Sequence, residues 1–596
     1  MIDPRIYRAA LIPVLFAFVL LAFSLENRPQ PMRTTLAPDA FQGPRAFQTA
    51  YGDSTTKGLV DRFPDRRPGS AGDNGLATAV AAQMRSSGFR VRTVTHEADT
   101  IDGRRSLRTV IAERPGTLDE RIVVVAHRDA AGRGAAAELS GTAGLLELAR
   151  IFGAPRQTRR TLTLVSTSGG SGGAAGAADL VNDVSGPIGA VLVLGDLASR
   201  TVTAPLVTGW SNGFGATPQR LRATVQEAVR VETGSGSGAP RALSQFARFA
   251  MPATFGEQGA LLARGLPAVL LSIGGDHPPP ANAPVSRLRL EAFGRAALRA
   301  ITVLDAAPAA RPITSEASNR DLLTSRKVLP EWAVRLFVGA LLLTVLITVV
   351  DAFAALLRKR SPIVVWLRWT LANGLPFLVT ALFAIAVGVV GLLGAVPDAP
   401  VAPQALPARP AALLAVVLVF ALCWAWMRPA MLRILRADAI TMSEPGAGVI
   451  IVLVATAVAC VMWITNPYSA ALLIPALHVW LFALSPDLRM RRPLRLVLAA
   501  LGLAPIAIVA IALARSLGLG GLDAAWELLL LVAGGHISLT GVLLWSAVAS
   551  CAVGALLVAA AGRAPAGEDD VSITVRGPRS YAGPGSLGGT ESALRR

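Results

Sequence analysis

The sequence predicts two architectures in one chain, an α/β unit over residues 46–307 and an all-α polytopic membrane bundle over residues 333–562. Three observations predict them. A mean hydropathy of +0.51, with 52% hydrophobic residues among 596, is too apolar for a soluble protein of this size. The excess is uneven, because beyond residue 333 the chain is mostly apolar runs of roughly 17–25 residues, the length of a bilayer-crossing helix. Residues 46–307 instead alternate β-branched strand-like runs with helical segments, as an α/β domain does.

From the N-terminus, residues 1–27 hold an apolar span near 10–24. Ala22-Phe23-Ser24 offers small residues at signal-peptidase spacing, so a cleaved signal stands beside the favoured reading, a retained anchor. Stretches 28–45 and 308–332, rich in Pro, Arg, Ser and Thr, read as linkers. Seven further spans are expected near 333–357, 369–395, 411–427, 447–465, 469–485, 495–514 and 538–561, making eight. Trp526–Val532 is apolar but short, and reads as a re-entrant or interfacial segment or as part of a ninth span. The polar, Gly/Pro-rich tail 563–596 is expected to be disordered and cytoplasmic.

The net charge of +18 is almost all arginine, the only lysines being Lys57, Lys327 and Lys359. Arginines cluster at alternate gaps between spans: Arg5/Arg8, Arg358–Arg360–Arg368, Arg428/Arg433/Arg436, Arg489–Arg495 and Arg563. That is the positive-inside pattern, and it places both termini in the cytoplasm and residues 28–331 outside a cell membrane. The charge is therefore a topology signal toward the lipid bilayer, and nucleic acid is not an expected partner. Arginine, alanine and leucine bias suggests a bacterial genome of high GC content. Cys423, Cys460 and Cys551 all fall in predicted spans, so the external unit has no disulfide.

Within the α/β unit, FPDRRPGSAGDNGLATAVAAQMRSSGFRVRTV (63–94) gives a Pro-Gly-Ser turn, an amphipathic helix and, after Gly88, a strand. RIVVVAHRDAAGRGAAAELSGTAGLLELARIF (121–152) gives an apolar strand ending in His127-x-Asp129, a Gly/Ala loop and a helix opening at Ser140. RTLTLVST (160–167) is a strand followed by the loop SGGSGGAAG and a small-residue helix. AVLVLGDLA (190–198) is a buried strand ending in Asp196. ARGLPAVLLS (263–272) is another, followed by GGDHPPP with His277. A histidine ending a strand, or an aspartate after one, is commonly a structural residue; the order of these signals carries the reading.

That order resembles metallopeptidase family 28, the co-catalytic di-zinc aminopeptidases. The resemblance implies a mixed β-sheet with helices on both faces. It puts His127 in the place of a zinc ligand and Asp129 in that of the carboxylate orienting it. Asp196 and His277 match two more ligands, which in the family belong to different metals. Ala137 stands where the bridging aspartate is expected, Gly170 where the general-base glutamate is, and Ser171 where a glutamate ligand is. Asp276 replaces a tyrosine. Zinc catalysis needs about three protein ligands and a base, so no cofactor is expected, or zinc if any, at vestigial ligands. Glu138 is the one residue that could replace the lost bridge, and beside Ala137 at the mouth of a helix it is expected to point elsewhere.

The implied function is a pseudo-peptidase whose cleft binds a peptide, an envelope polymer or a partner protein. The alternative is a membrane-bound zinc aminopeptidase using one metal. A further alternative, from Gly169-Gly170-Ser171-Gly172-Gly173, is a serine hydrolase using Ser171 with Asp196 and His277 in α/β-hydrolase order. Gly170-x-Gly172-x-x-Ala175 also mimics a dinucleotide-binding turn, without the flanking signals such a site needs. In the bundle, His478 after Pro475 is a polar candidate. Its structural reading is a ring N–H bonded to a carbonyl freed by the proline.

Overall fold

The computed structural model describes residues 4–561, apart from 35–39, 154–157, 237, 239–240, 309–319, 325, 394–395, 398, 438–444, 486–487 and 489. The tail 563–596 lies outside the described residues. Ten strands form: β1 (Glu26–Asn27), β2 (Arg90–Thr100), β3 (Gly103–Arg114), β4 (Leu118–His127), β5 (Arg160–Thr167), β6 (Ile188–Leu194), β7 (Val207–Thr208), β8 (Ala268–Leu271), β9 (Leu322–Leu323) and β10 (Lys327–Leu329). Seven of them make one sheet in the order β2-β3-β5-β4-β6-β8-β7. β5, β4, β6 and β8 run parallel, while β2, β3 and β7 pair antiparallel at the two sides. The sheet is mixed, as expected.

The parallel strands are apolar on both faces because both faces are covered. Ile122, Val124 and Ala126 of β4 enter a core built with helices Ala71–Ser86, Ser140–Gly153 and Arg287–Ala306. The alternate residues Val123 and Val125 face Ala177, Leu180 and Leu261 on the other side, the two-residue period of a strand. Ser70 caps the Ala71–Ser86 helix by accepting from Asp73 N. Arg160, at the start of β5, is buried with its guanidinium on Glu120 and on the carbonyls of Leu304, Asp305 and Ala307. A cation there satisfies the C-terminal carbonyls of the last helix of the unit.

Among the described residues, seven helices are long and apolar enough to cross a membrane: Pro4–Phe23, Glu331–Arg358, Ile363–Val389, Pro410–Ile434, Gly446–Thr465, Arg492–Ser516 and Leu539–Ala561. The chain is a multi-pass membrane protein. The span expected at 469–485 is shorter, a helical pair running Pro467–Ala483. Pro475 explains the break, since a proline is tolerated only in the first turn of a new helix, which here begins at Ile474. Seventeen residues still reach about 25 Å. Asn466, at one end, donates to Phe249 O in the α/β unit. Ala483, at the other, accepts from Arg495, which also reaches Val558 O near the end of the last span. The pair therefore runs the depth of the bundle.

The span expected to continue to 395 stops at Val389, where a turn with Gly391 at φ 78° ends it. Trp526–Val532 lies in the helix Gly521–Ala533, 13 residues long and short of membrane length. The three cysteines are free and sit in the expected helices. His478 Nδ1 bonds the hydroxyl of Tyr7 on the first helix at 2.9 Å. A backbone group also reaches the ring, that of Leu341 on a neighbouring span and not a carbonyl freed by Pro475.

Candidate functional site

A crevice outside the carboxyl ends of parallel strands is where α/β sheets hold ligands. Here four parallel strands end together: β4 at His127, β5 at Thr167, β6 at Leu194 and β8 at Leu271. The segments that follow deliver the sequence-predicted residues to one cavity, lined by His127, Glu138, Gly170, Ser171, Asp196 and His277 among others.

Asp129 is fully buried. It accepts from Gly170 N and Ser171 N at 3.0 Å each and from Ser171 Oγ at 2.5 Å. Its carboxylate therefore fixes the 170–171 loop instead of the His127 ring. The partner of His127 is Glu257, whose Oε2 lies 3.6 Å from Nδ1 and whose Oε1 accepts from Thr167 Oγ1 at 2.5 Å. Burial alone would lower the imidazolium pKa, but the hydrogen bond and charge of Glu257, with Asp129 and Glu138 adding, raise it to about 9. No sequence motif pointed to Glu257, the first residue of a short helix in an ordinary Gly-Glu-Gln-Gly stretch.

Glu138 faces the cavity, against expectation. Residues 137–139 form a 3₁₀ turn ahead of the helix that opens at Ser140, and the tighter turn swings the side chain inward. Burial raises its carboxyl to about 7, with Asp129 and Asp196 adding and His127 and Arg66 opposing. Asp196 Oδ1 accepts from Ala198 N, Ser199 N and Ser140 Oγ, the bonds of a turn former. One oxygen each of Glu138 and Asp196 is buried without a hydrogen-bond partner, while Glu257 Oε2 is the oxygen that faces His127.

His277 sits beside Asp276, with Nδ1 3.6 Å from Oδ1, and edge-on to Phe255. Asp276 accepts from Arg248 Nη1 at 2.7 Å and Thr254 Oγ1 at 2.8 Å. Burial would raise its carboxyl, yet Arg248 leads the contacts that hold it below the ordinary range. Arg128, between His127 and Asp129, is buried on Asp73, with Nε 2.9 Å from Oδ1. It ties the end of β4 to the helix that starts at Ala71.

Imidazole and carboxylate are suitable zinc donors, but their arrangement does not fit a metal centre as placed. Among the described residues no group of three or more His, Cys, Asp or Glu could hold one ion. Ala137 offers no bridge. A Cβ on Gly170 would meet His127 Cβ at 2.4 Å, so a longer side chain there requires the imidazole to move. Ser171 is no better placed as a nucleophile, since its hydroxyl donates to Asp129 and not to an imidazole. The helix after the Gly-rich loop is only Ala175–Ala178, too short to cradle a dinucleotide phosphate.

The sequence of residues 109–235, which spans β4, β5, β6 and the loops carrying His127, Gly170 and Asp196, matches the model of peptidase family M28. The chain carries an M28-like domain. Solved structures similar to it include a glutaminyl cyclase of Porphyromonas gingivalis, 18% identical, with a TM-score of 0.32 and covering 44% of this chain and 99% of that one. A zinc aminopeptidase from Bacillus subtilis is 11% identical, covering 46% and 98%, with a TM-score of 0.36. The LapA aminopeptidase of Legionella pneumophila is 15% identical, covering 46% and 73%, with a TM-score of 0.35. No curated protein matches the chain at significant similarity. Pro400, Val401 and Ala402, from the loop between two membrane-length helices, also line the cavity of the M28-like domain.

Proposed function

We propose that the M28-like domain is a pseudo-peptidase, held outside the cell membrane, whose cleft binds a peptide, an envelope polymer or a partner protein without cleaving it. One observation carries this reading: the space a general-base glutamate would take at position 170 is closed by His127, which is itself engaged with Glu257. Position 170 then supplies no base and Ala137 no bridging carboxylate, the two groups that activating a metal-bound water at these positions calls for. The outside placement is supported by the alternation of arginine clusters between successive spans along the sequence. The test is zinc content and aminopeptidase activity of the full chain purified in detergent. A small fraction of one zinc per chain and no release of amino acids from a leucine anilide are expected. One zinc per chain with activity lost in His127→Ala would overturn the reading.

The inward Glu138 favours a second reading, a one-metal aminopeptidase. Its unpartnered oxygen, with that of Asp196, gives one ion carboxylate donors if the side chains close up. The same zinc measurement separates the two.

A further inference from the structure

Resting on the reading of the cleft as a binding site, we propose that its ligand is a membrane-anchored polypeptide presenting a cationic residue. The position of the cleft comes first. His277 stands against Gly518, where a Cβ would lie 3.1 Å from its Nε2. Gly518 follows the end of the membrane-length helix at Ser516 by two residues, about 7 Å of chain at most. Ala402 and Leu517, both from span-connecting loops, join Ala253 and Phe255 of the domain in one apolar cluster. The loop bearing Val401 is pinned in turn, its N–H donating to Glu527 Oε1 at 3.2 Å and Leu406 O accepting from Trp526 Nε1 at 3.1 Å. Arg248, holding Asp276, donates to Ser516 Oγ and to Ser516 O. The cavity thus lies at the level of the span-connecting loops, and part of its wall belongs to the membrane region.

Charge gives the chemistry. Glu138, Asp196, Glu257 and Asp276 line the cavity, with no lysine or arginine among its lining residues. The first three are at least nine-tenths buried, and Glu138 and Asp196 each keep one oxygen without a hydrogen-bond partner, while Glu257 Oε2 faces His127. Buried acceptors without partners are costly and call for a donor. A cation supplies one, whereas the phosphate of a phospholipid headgroup would bring only further acceptors against these oxygens, with Arg248 already engaged by Asp276. Phe255, Pro278 and Pro400 supply apolar wall for the residues flanking the cation. A membrane-anchored chain reaches this cavity along the surface, at the high effective concentration that tethering gives.

The test uses the full chain in nanodiscs of phosphatidylglycerol and phosphatidylcholine. The probe is a palmitoylated hexapeptide with one lysine beside a photoreactive diazirine. Mass spectrometry maps the adducts, and a soluble twin lacks the palmitoyl group. Adducts on residues 254–257, 277–279 or 400–402 are expected, falling about tenfold in Glu138→Gln and about tenfold when the probe lysine is acetylated. The acetylated probe keeps the test valid if the variant misfolds. The proposal is overturned if the soluble twin labels the cleft as well as the anchored probe does. It is equally overturned if adducts fall only outside these segments, or if a photoreactive phosphatidylethanolamine labels them and displaces the peptide. Release of an amino acid from the probe would refute the non-catalytic reading while leaving the anchored ligand in place.

Discussion

Gly518 packs against the imidazole of His277, so a loop between two membrane-length helices touches a residue that the M28-like order marks as a ligand position. Gly518 also has φ +65°, a left-handed conformation that side chains with a Cβ resist. Replacing it with valine adds both strain and a clash. Gly518→Val is expected to loosen this wall and raise the rate of His277 modification by diethylpyrocarbonate several-fold. Unchanged reactivity would mean the loop does not shield the ring.

Gly170→Glu should not restore a peptidase. Its Cβ meets His127 Cβ and Cγ, the root of the side chain and not its flexible end. Overpacking of this kind costs about 1–3 kcal/mol, so a lower midpoint of thermal unfolding in detergent and no gain in aminopeptidase activity are expected. A gain in activity would show that His127 can yield.

Asp129→Ala removes the acceptor of three hydrogen bonds from Gly170 and Ser171. Leaving those buried donors unpaired costs about 1–3 kcal/mol each. Hydrogen exchange at residues 168–174 should rise well above that of the neighbouring strand β6. Exchange confined to its original rate would assign the order of the loop to other contacts.

Arg160→Met should be among the most damaging single changes in the domain. It strips Glu120 of its partner and three carbonyls at the end of helix Arg287–Ala306 of their donor. Breaking a buried pair this way costs about 3–5 kcal/mol. Equilibrium unfolding in denaturant is the measure, and a loss below 1 kcal/mol, roughly the worth of an exposed pair, would contradict the assignment.

Stability of the metal-free protein should fall as pH rises. Glu138 is raised from 4.5 to about 7 and His127 from 6.5 to about 9. In both cases the folded state binds the proton more tightly, so stability rises with protonation. The Glu138 contribution is fully present below pH 4.5 and lost by about 7; that of His127 is present below 6.5 and lost as pH passes about 9. The combined loss is on the order of a few kcal/mol. Unfolding midpoints that rise between pH 5 and 9 would refute it, as would an NMR titration of His127 below 6.5.

The mixed sheet was readable because its parallel strands, Arg160–Thr167 above all, are continuous buried runs, and the cavity residues His127, Asp196 and His277 because they lie at the end of such a run or in the loop after it. The direction of Glu138 was not readable, since it depends on whether the chain makes a 3₁₀ turn or an α-turn before Ser140, and alanine-rich sequence suits both. Glu257 was invisible for another reason: its partner His127 lies far away in sequence and no local pattern links them. The same holds for Val401 and Gly518. Hydropathy marks them as connectors between spans, and only the packing of the bundle makes them walls of a cavity. In the bundle, the span near 469–485 read as an ordinary crossing, because composition registers apolar length but not the interruption before Pro475.

The short sheet at the membrane-proximal base has a mechanical consequence. Glu26 pairs with Val328 and Asn27 with Lys327, where the chain leaves its first apolar helix and where it re-enters the bundle. The two connections between domain and bundle are therefore joined in one three-stranded sheet, β1-β10-β9, and are not independent leashes. Pairing of the two connections resists swivelling of the domain about either one alone. Were the first helix cut away after Ser24, β1 would remain laced to β10, and the new chain end would stay pinned at the base of the domain.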